Sequence, residues 1–232
     1  IKNQLTPEMI LNMGLRYDLF EVEYTNLLPN DIDSSHLSPD SQKIKYDHLS
    51  PKLSLLYKFN RLYQVYGNYR HGFRAPSVNT LFRSGKSTNT SELKPVKMNS
   101  FELGFRGLSG SGISYDAAIY FMEKTDDIVS AITSDSDRIS LNAGKTQHKG
   151  VELSIASSIN HNFSLTSALS YSEQTYGKFE YLYSCWSCTP NISILNFDGN
   201  FIGKAPKTLG NLALRYEPSD WHQFMMELEL EH

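Results

Sequence analysis

The sequence lacks any long hydrophobic run, and no stretch approaches the roughly 18 apolar residues of a membrane-spanning helix. Helical spans are therefore excluded, whereas membrane strands, which need only about half as many apolar residues each, are not. The sequence also lacks a basic excess, since 22 Lys and Arg stand against 25 Asp and Glu in 232 residues, a net charge of −3. Without a basic face, no interaction with nucleic acid is expected.

Cysteine and tryptophan are scarce, with two residues each, whereas 14 Tyr and 12 Phe raise the aromatic fraction to 12 %. The hydrophobic fraction of 40 % is that of an ordered protein. The sequence shows no Ser, His and Asp constellation and no carboxylate pair with a spacing typical of catalysis. No enzymatic activity is therefore expected.

Alternation of apolar and polar residues is the strongest pattern that is present. In the segment Asn99–Gly107, every second residue is apolar (Phe101, Leu103 and Phe105), as on a strand with one apolar and one polar face. Eight further segments alternate in this way: Ile10–Phe20, Lys52–Phe59, Leu62–Phe73, Ile113–Phe121, Val151–Ile155, Phe163–Tyr171, Leu212–Tyr216 and Phe224–Leu228. The pattern predicts an all-β fold, an antiparallel up-and-down meander of about nine strands.

The segments between these strands are alternately short and long. Short turns are expected at Asn60–Arg61, Ser109–Gly112, Asn160–Asn162 and Pro218–Asp220, and long polar loops near 25–46, 75–96, 122–145 and 172–208. A soluble sandwich has no reason to keep every long loop at one end. Outer-membrane barrels have this asymmetry, so the sheet is expected to be part of a transmembrane β-barrel. Nine strands leave two open edges, through which an isolated fragment is expected to self-associate.

Four motifs follow one another along these strands. They read Y-G-N-Y-R-H-G-F-R-A-P-S at Tyr66–Ser77, L-K-P at Leu93–Pro95 with S-F-E-L-G-F-R at Ser100–Arg106, N-A-G-K at Asn142–Lys145 with G-V-E-L at Gly150–Leu153, and A-P-K at Ala205–Lys207 with Leu209–Tyr216. Each motif is weak alone. Together, in this order, they resemble the barrel of TonB-dependent outer-membrane receptors, over nearly the whole chain.

The resemblance implies a 22-stranded barrel with an N-terminal plug in the outer membrane of a Gram-negative bacterium. It also implies active uptake of an iron chelate, here a ferric siderophore, with no covalently bound cofactor. Membrane lipid, the iron chelate and the TonB complex are the implied partners, and TonB would act through an N-terminal region outside this chain.

The termini suggest a fragment of a longer protein. The sequence starts at Ile1 without an initiator Met, and Leu230–His232 matches the first residues of a common histidine tag. By the layout of the family that it resembles, residues 1–229 are expected to be middle-to-late strands of the barrel, without its plug and final strands, and residues 230–232 are expected to be a tag remnant.

The outer loops and the rim are expected to carry the ligand contacts. Ferric siderophores are often anionic or rich in catechol, so cationic and aromatic side chains suit them. On this basis the candidate ligand contacts are His71, Arg74, Phe82, Arg83, Lys86 and Trp186.

The segment Phe73–Pro76 reads F-R-A-P, as in a box of haem receptors, which is followed there by a His and by N-P-N-L. Here residues 90–93 read T-S-E-L, and no His lies between Ser77 and Glu92. Because a haem receptor would use His as an axial ligand, the departure favours a siderophore, with haem as the alternative. Phe73 and Pro76 are expected to have a structural role, with Pro76 ending a strand at the rim.

Cys185 and Cys188 have C-x-x-C spacing. On the oxidising cell exterior that the resemblance implies, a local disulfide between them is expected. Redox activity or zinc binding is the alternative for this pair. For the whole chain, a passive porin-like barrel is a second function class, and a barrel enzyme or a soluble β-sandwich is a third.

Overall fold

The computed structural model describes residues 2–27, 38–83, 92–132, 138–142, 144–184, 187, 192–203, 205–218 and 224–232. Within these ranges the chain forms fourteen strands and one short helix, whose bounds are β1 Lys2–Gln4, β2 Met9–Tyr24, β3 Gln42–Lys58, β4 Tyr63–Arg74, α1 Val78–Leu81, β5 Val96–Leu108, β6 Ile113–Thr125, β7 Ile128–Ile132, β8 Arg138–Asn142, β9 Lys145–Ser158, β10 Phe163–Lys178, β11 Glu180–Ser184, β12 Ile192–Asn196, β13 Thr208–Tyr216 and β14 Met226–Glu231.

Ten of these strands form one antiparallel sheet in the order β1-β2-β3-β4-β5-β6-β9-β10-β13-β14. The remaining four form two hairpins, β7 with β8 and β11 with β12, which lie in the connections β6–β9 and β10–β13. The predicted meander of about nine strands is confirmed. The short strand β1, which pairs with β2 at one edge of the sheet, is an addition to it.

The two ends of the strands differ as the loop lengths predict. One end, which we call the turn end, has the connections 59–62, 109–112 and 159–162, and the opposite end, the loop end, has 25–41, 75–95, 126–144 and 179–207. Two turns use the same device: the Asn60 Oδ1 atom accepts hydrogen bonds from the backbone N–H groups of Leu62 and Tyr63, at 2.8 and 3.0 Å. The Asn160 Oδ1 atom does the same at the turn 159–162.

Three features of the loop end differ from the sequence prediction. Strand β3 begins at Gln42, inside the loop predicted for residues 25–46, because charged side chains continue the ladder there: the Lys43 Nζ atom lies 2.7 Å from the Glu21 Oε1 atom. Two of the predicted loops contain hairpins, and a third contains α1. Residues 230 and 231 belong to β14, and the assignment of 230–232 to a tag stays a prediction.

One face of the sheet is apolar along its whole width. Register pairs such as Leu103 with Ile119 and Phe101 with Phe121 place apolar side chains side by side on neighbouring strands. This apolar face comprises Met13, Leu15, Leu53, Leu55, Val65, Tyr69, Phe101, Leu103, Phe105, Ile119, Phe121, Val151, Leu153, Leu169, Tyr171, Leu212, Leu214, Leu228 and Leu230. The opposite, polar face includes Ser54, Asn68, Glu102 and Asp116.

The apolar face is not covered by protein in the described part of the chain. Leu103 and Ile119, at its centre, have exposed fractions of 54 and 55 %. Apart from prolines, the buried apolar side chains among the described residues are Leu81, Leu93, Val96 and Phe179, all at the loop end. Soluble monomers rarely expose so large an apolar surface. No described helix is both long enough and apolar enough to cross a bilayer.

Candidate functional site

Six of the ten predicted site residues are described, and all six lie at the loop end. They are His71, Phe73 and Arg74 in the last part of β4, and Pro76, Phe82 and Arg83 in the connection that follows it. The other four, Lys86, Cys185, Trp186 and Cys188, lie outside the described residues. The predicted disulfide therefore stays a prediction.

Pro76 and Ser77 mark the change from strand β4 to helix α1. Pro76 is buried directly after β4, and it has no backbone N–H group with which to extend a ladder. Ser77 caps α1, since its Oγ atom accepts a hydrogen bond from the Thr80 N–H group at 3.2 Å. Leu81, on the last turn of α1, is fully buried. The rim segment thus has a fixed conformation up to the candidate contacts that follow it.

Phe82 and Arg83 form an aromatic and cationic surface at the end of α1. The Phe82 ring stacks on the ring of Tyr24, with centroids 4.5 Å apart and planes 7° from parallel. Arg83 is exposed and comes next in the chain. Tyr24 was not predicted as a site residue, because its contact joins the end of β2 to a helix that the sequence pattern does not show.

Arg74 lies at the end of β4 with 72 % of its side chain exposed. Its Nη2 atom is 3.6 Å from the Asp127 Oδ1 atom, and the two side chains form a long ion pair whose arginine is exposed to solvent. Such pairs contribute about 0–1 kcal/mol. The guanidinium group can therefore exchange this partner for an anionic ligand at little cost.

His71 is fixed by Asn99 on the neighbouring strand β5. The Asn99 Oδ1 atom lies 3.1 Å from the Tyr69 hydroxyl, which donates to it, and 2.7 Å from the His71 Nδ1 atom. An amide oxygen only accepts hydrogen bonds, so the His71 Nδ1 atom carries the proton. With the proton on Nδ1, the His71 Nε2 atom carries a lone pair.

This lone pair points at a second histidine. The His48 and His71 Nε2 atoms are 2.8 Å apart, and we call these two residues the His pair. His48 comes from the part of β3 that pairs with β2 alone, because the pairing of β3 with β4 ends at Lys52 and Arg70. The ring of Phe73 packs against His48, with centroids 4.6 Å apart. No local sequence pattern points to His48, because its contact with His71 joins residues that are 23 positions apart in the chain.

A clamp around Asn142 holds two of the sequence motifs together. The Asn142 Oδ1 atom accepts a hydrogen bond from the Lys94 N–H group at 2.8 Å, and its Nδ2 atom donates to the Lys94 oxygen at 2.9 Å and to the Asp126 oxygen at 2.7 Å. Leu93 is held from the other side, because the Tyr46 hydroxyl donates to its backbone oxygen at 2.7 Å. The N-A-G motif had suggested a family but not this contact.

The polar face carries a hydrogen-bonded network near mid-strand. Asn68 accepts from the Ser54 hydroxyl at 2.5 Å and donates to the Glu102 carboxylate at 3.0 Å. The Tyr66 hydroxyl donates to Asp116 at 3.0 Å, and the Arg106 Nε atom donates to the same carboxylate at 2.7 Å.

Gly104 makes room for this network, because a Cβ atom there would overlap the Tyr66 ring. The alternating S-x-E-x-G-x-R motif at Ser100–Arg106 thus supplies the polar groups and the space that they need.

Charge at the loop end is paired rather than concentrated. The hydrogen bond from the Lys43 ammonium lowers the pKa of the Glu21 carboxyl and raises the pKa of Lys43. Two further pairs have short distances, from Lys145 to Glu123 at 2.7 Å and from Lys149 to Glu173 at 3.0 Å. Among the described residues, no group of three or more His, Cys, Asp or Glu side chains could hold a metal ion.

Comparison with known proteins gives consistent matches. Residues 3–229 match the family described as TonB dependent receptor-like, beta-barrel. The probable TonB-dependent siderophore receptor PiuA of Acinetobacter baumannii is 22 % identical over 218 residues, which cover 92 % of this chain and 28 % of that protein.

Solved structures share the fold. The copper transporter OprC superposes with a TM-score of 0.71 at 16 % identity, covering 94 % of this chain and 31 % of that one. The siderophore receptor PiuA from Acinetobacter baumannii superposes with a TM-score of 0.68 at 19 % identity, covering 93 % of this chain and 30 % of that one. The ferric-catecholate import receptor Fiu from E. coli K12 superposes with a TM-score of 0.65 at 19 % identity, covering 94 % of this chain and 31 % of that one.

The chain spans less than a third of the length of each of these relatives. The matched part is nevertheless nearly the whole of the chain, and its sheet order and its long and short connections are those of an up-and-down barrel wall. The chain therefore belongs to the TonB-dependent receptor-like β-barrel family.

Proposed function

We propose that this chain forms part of the wall of an outer-membrane receptor that actively imports an iron chelate, a ferric siderophore. The observation that carries the proposal is the aromatic and cationic surface at the loop end, where the Phe82–Tyr24 stack lies beside the exposed Arg83. The name of the relative PiuA, a siderophore receptor, supports the same ligand class.

The two faces of the sheet suit this role. The apolar face meets lipid, and the polar face, with its Asn68–Glu102 network, lines the lumen. Long connections of such barrels lie outside the cell and short turns in the periplasm, so the loop end meets the incoming ligand. The proposed energy source is the TonB complex, which engages a region of the whole protein outside this chain. In this proposal the chelate is cargo, and no cofactor stays bound.

The ligand class is tested by binding of a panel of ferric siderophores and haemin to the full-length receptor in detergent. We expect saturable binding of a ferric siderophore, with catecholate or other anionic chelates preferred over neutral ones. Binding of haemin alone, or of no member of the panel, would overturn the proposal. Uptake of the bound chelate by cells with and without TonB then tests the energy coupling.

The loop-end surface is tested by two substitutions. Removing one cation–π or charged contact weakens binding by about 0.5–2 kcal/mol, or roughly 2- to 30-fold. We expect that loss from Phe82→Ala and from Arg83→Ala. The matched control is Arg61→Ala, which removes an exposed arginine from the turn end and should leave affinity unchanged. Equal effects of Arg83→Ala and Arg61→Ala would contradict the placement of the ligand.

Haem is the second candidate ligand, because Phe73–Pro76 forms the F-R-A-P box. His71, the histidine nearest to this box, has its two ring nitrogens engaged by Asn99 and His48. An axial bond to haem iron would have to break the contact with His48. A haemin complex of the receptor whose absorption spectrum changes in His71→Ala would favour haem over a siderophore.

A passive barrel is distinguished by conductance. An energy-coupled receptor has a plugged lumen, so the full-length protein should give no steady ion conductance in a planar bilayer. A stable open conductance, together with ligand uptake that does not depend on TonB, would favour the porin-like alternative.

A further inference from the structure

We propose that the His pair is a binding site for a divalent transition-metal ion, with Cu²⁺ as the preferred occupant. The proposal is independent of the iron-chelate function, since it rests on His48 and His71 and on their immediate neighbours. The two side chains come from strands that are no longer paired at this level, so nothing in the regular sheet requires them to meet.

The distance between the two nitrogens suits a shared ion. The Nε2 atoms are 2.8 Å apart. Imidazole nitrogens bind such ions at about 2.0–2.1 Å, and two of them at a right angle around one ion are then about 2.9 Å apart. The pair therefore needs only a small displacement to become two adjacent ligands in a tetragonal arrangement, the geometry that Cu²⁺ favours.

The surroundings of His71 prepare it as a ligand. A metal-binding histidine usually donates its other ring N–H to a carbonyl or carboxylate, which fixes the tautomer and the orientation of the ring. Asn99 does this for His71, and the Tyr69 hydroxyl in turn holds the Asn99 oxygen. His48 is held by ring packing against Phe73. The lone pair on the His71 Nε2 atom is thus oriented before any ion arrives.

Charged groups around the pair are balanced. Asp18 lies directly opposite His48 in the register of β2 and β3, and Asp47 precedes His48 in the chain. Lys97 lies near His48 from β5, and Arg16 forms a 2.8 Å ion pair with Asp18. Two cations thus offset two carboxylates, so the imidazoles rather than a local anionic field must supply the affinity. Water completes the coordination, since the described residues offer no set of three ligands.

The competing interpretation is a simple hydrogen bond, in which the His48 Nε2–H group donates to the His71 Nε2 atom. A hydrogen bond and a metal site use the same lone pair, but only the metal site takes up an ion. Imidazole affinity rises from Ni²⁺ to Cu²⁺ and falls again at Zn²⁺, so Cu²⁺ is the probe that separates the two most clearly.

The test uses the full-length receptor in detergent, without a histidine tag, titrated with Cu²⁺ at pH 7.5. We expect the wild type to bind one Cu²⁺ more than the His48→Ala/His71→Ala variant. The electron paramagnetic resonance spectrum of that ion should show coupling to two equatorial nitrogens.

Single variants locate the site. His48→Gln and His71→Gln keep a polar side chain and should each remove the two-nitrogen spectrum. Asn99→Leu, which removes only the group that orients His71, should weaken Cu²⁺ binding by about 10- to 100-fold. His161→Ala, in the exposed turn 159–162, is the matched control and should change nothing. Equal Cu²⁺ uptake by the wild type and the double variant, or a spectrum without two nitrogens, would leave only the hydrogen bond and overturn the proposal.

Discussion

The middle of the sheet and its loop end are stabilised in different ways. In the middle, every strand is held by ladder hydrogen bonds in continuous register, and large apolar side chains such as Leu103 remain more than half exposed. At the loop end the apolar side chains Leu81 and Leu93 are buried, and single side chains such as Asn142 hold separate segments together. The apolar side chains of the middle are thus not covered by protein, whereas the loop end has a small core of its own.

Leu81→Ala tests that core and should have the largest effect on stability of the changes considered. Removing a fully buried leucine costs about 2–5 kcal/mol, but the loss should stay within the loop end. Hydrogen exchange should become faster in peptides that cover α1 and unchanged in those from the middle of β5. Val78→Ala, at a half-exposed position of the same helix, is the control with little effect. Faster exchange throughout the sheet would show that the two regions are not separate.

Leu103→Arg tests the dependence of the middle on lipid. An arginine at the centre of a lipid-facing surface costs about 2–4 kcal/mol, and near the interface only about 0–1 kcal/mol. Ile113→Arg, on the same face at the turn end of β6, is therefore the matched control. The free energy of unfolding, measured for the receptor in lipid vesicles, should fall more in Leu103→Arg than in Ile113→Arg. Equal stability of the two variants would contradict the assignment of the apolar face to lipid.

Gly104→Ala tests the polar face. The added methyl group would overlap the Tyr66 ring, so that ring must move and give up its hydrogen bond to Asp116, at a cost of about 1–3 kcal/mol. The double variant Gly104→Ala/Tyr66→Ala should recover part of this stability in a double-mutant cycle. Gly72→Ala, where a Cβ atom meets nothing within 4 Å, is the control.

Asp127→Asn should have the smallest effect. The Arg74–Asp127 pair is long, at 3.6 Å, and its arginine side chain is 72 % exposed, so its removal costs about 0–1 kcal/mol of stability. If Arg74 contacts an anionic chelate, the same change should leave affinity unchanged or raise it slightly, because the guanidinium group loses a competitor. A marked loss of thermal stability would mean that this pair belongs to the core of the loop end.

The same contrast explains what the sequence could predict. Around Leu103, apolar and polar residues alternate with a period of two. This local pattern predicts the strands, the face on which each side chain lies and the turns, without knowledge of which segments pair. Strand β3 starts earlier than expected because Lys43 and Lys45 continue the ladder beyond the apolar band. The His48–His71 and Asn142–Lys94 contacts join residues far apart in the chain, and no local pattern encodes such contacts. Arg74 and Phe82 could be named as candidates because residue type and position at the rim are local properties, and their role as ligand contacts stays a prediction.

The Asn142 clamp has a consequence for how this surface can change over evolution. Leu81, buried on one side, and Lys94, held by Asn142 on the other, fix both ends of the stretch between them independently of its sequence. Doubling the length of such a closed stretch costs only about 0.6 kcal/mol in chain entropy. A connection between two ends that are fixed in this way can therefore change in length with little effect on the sheet.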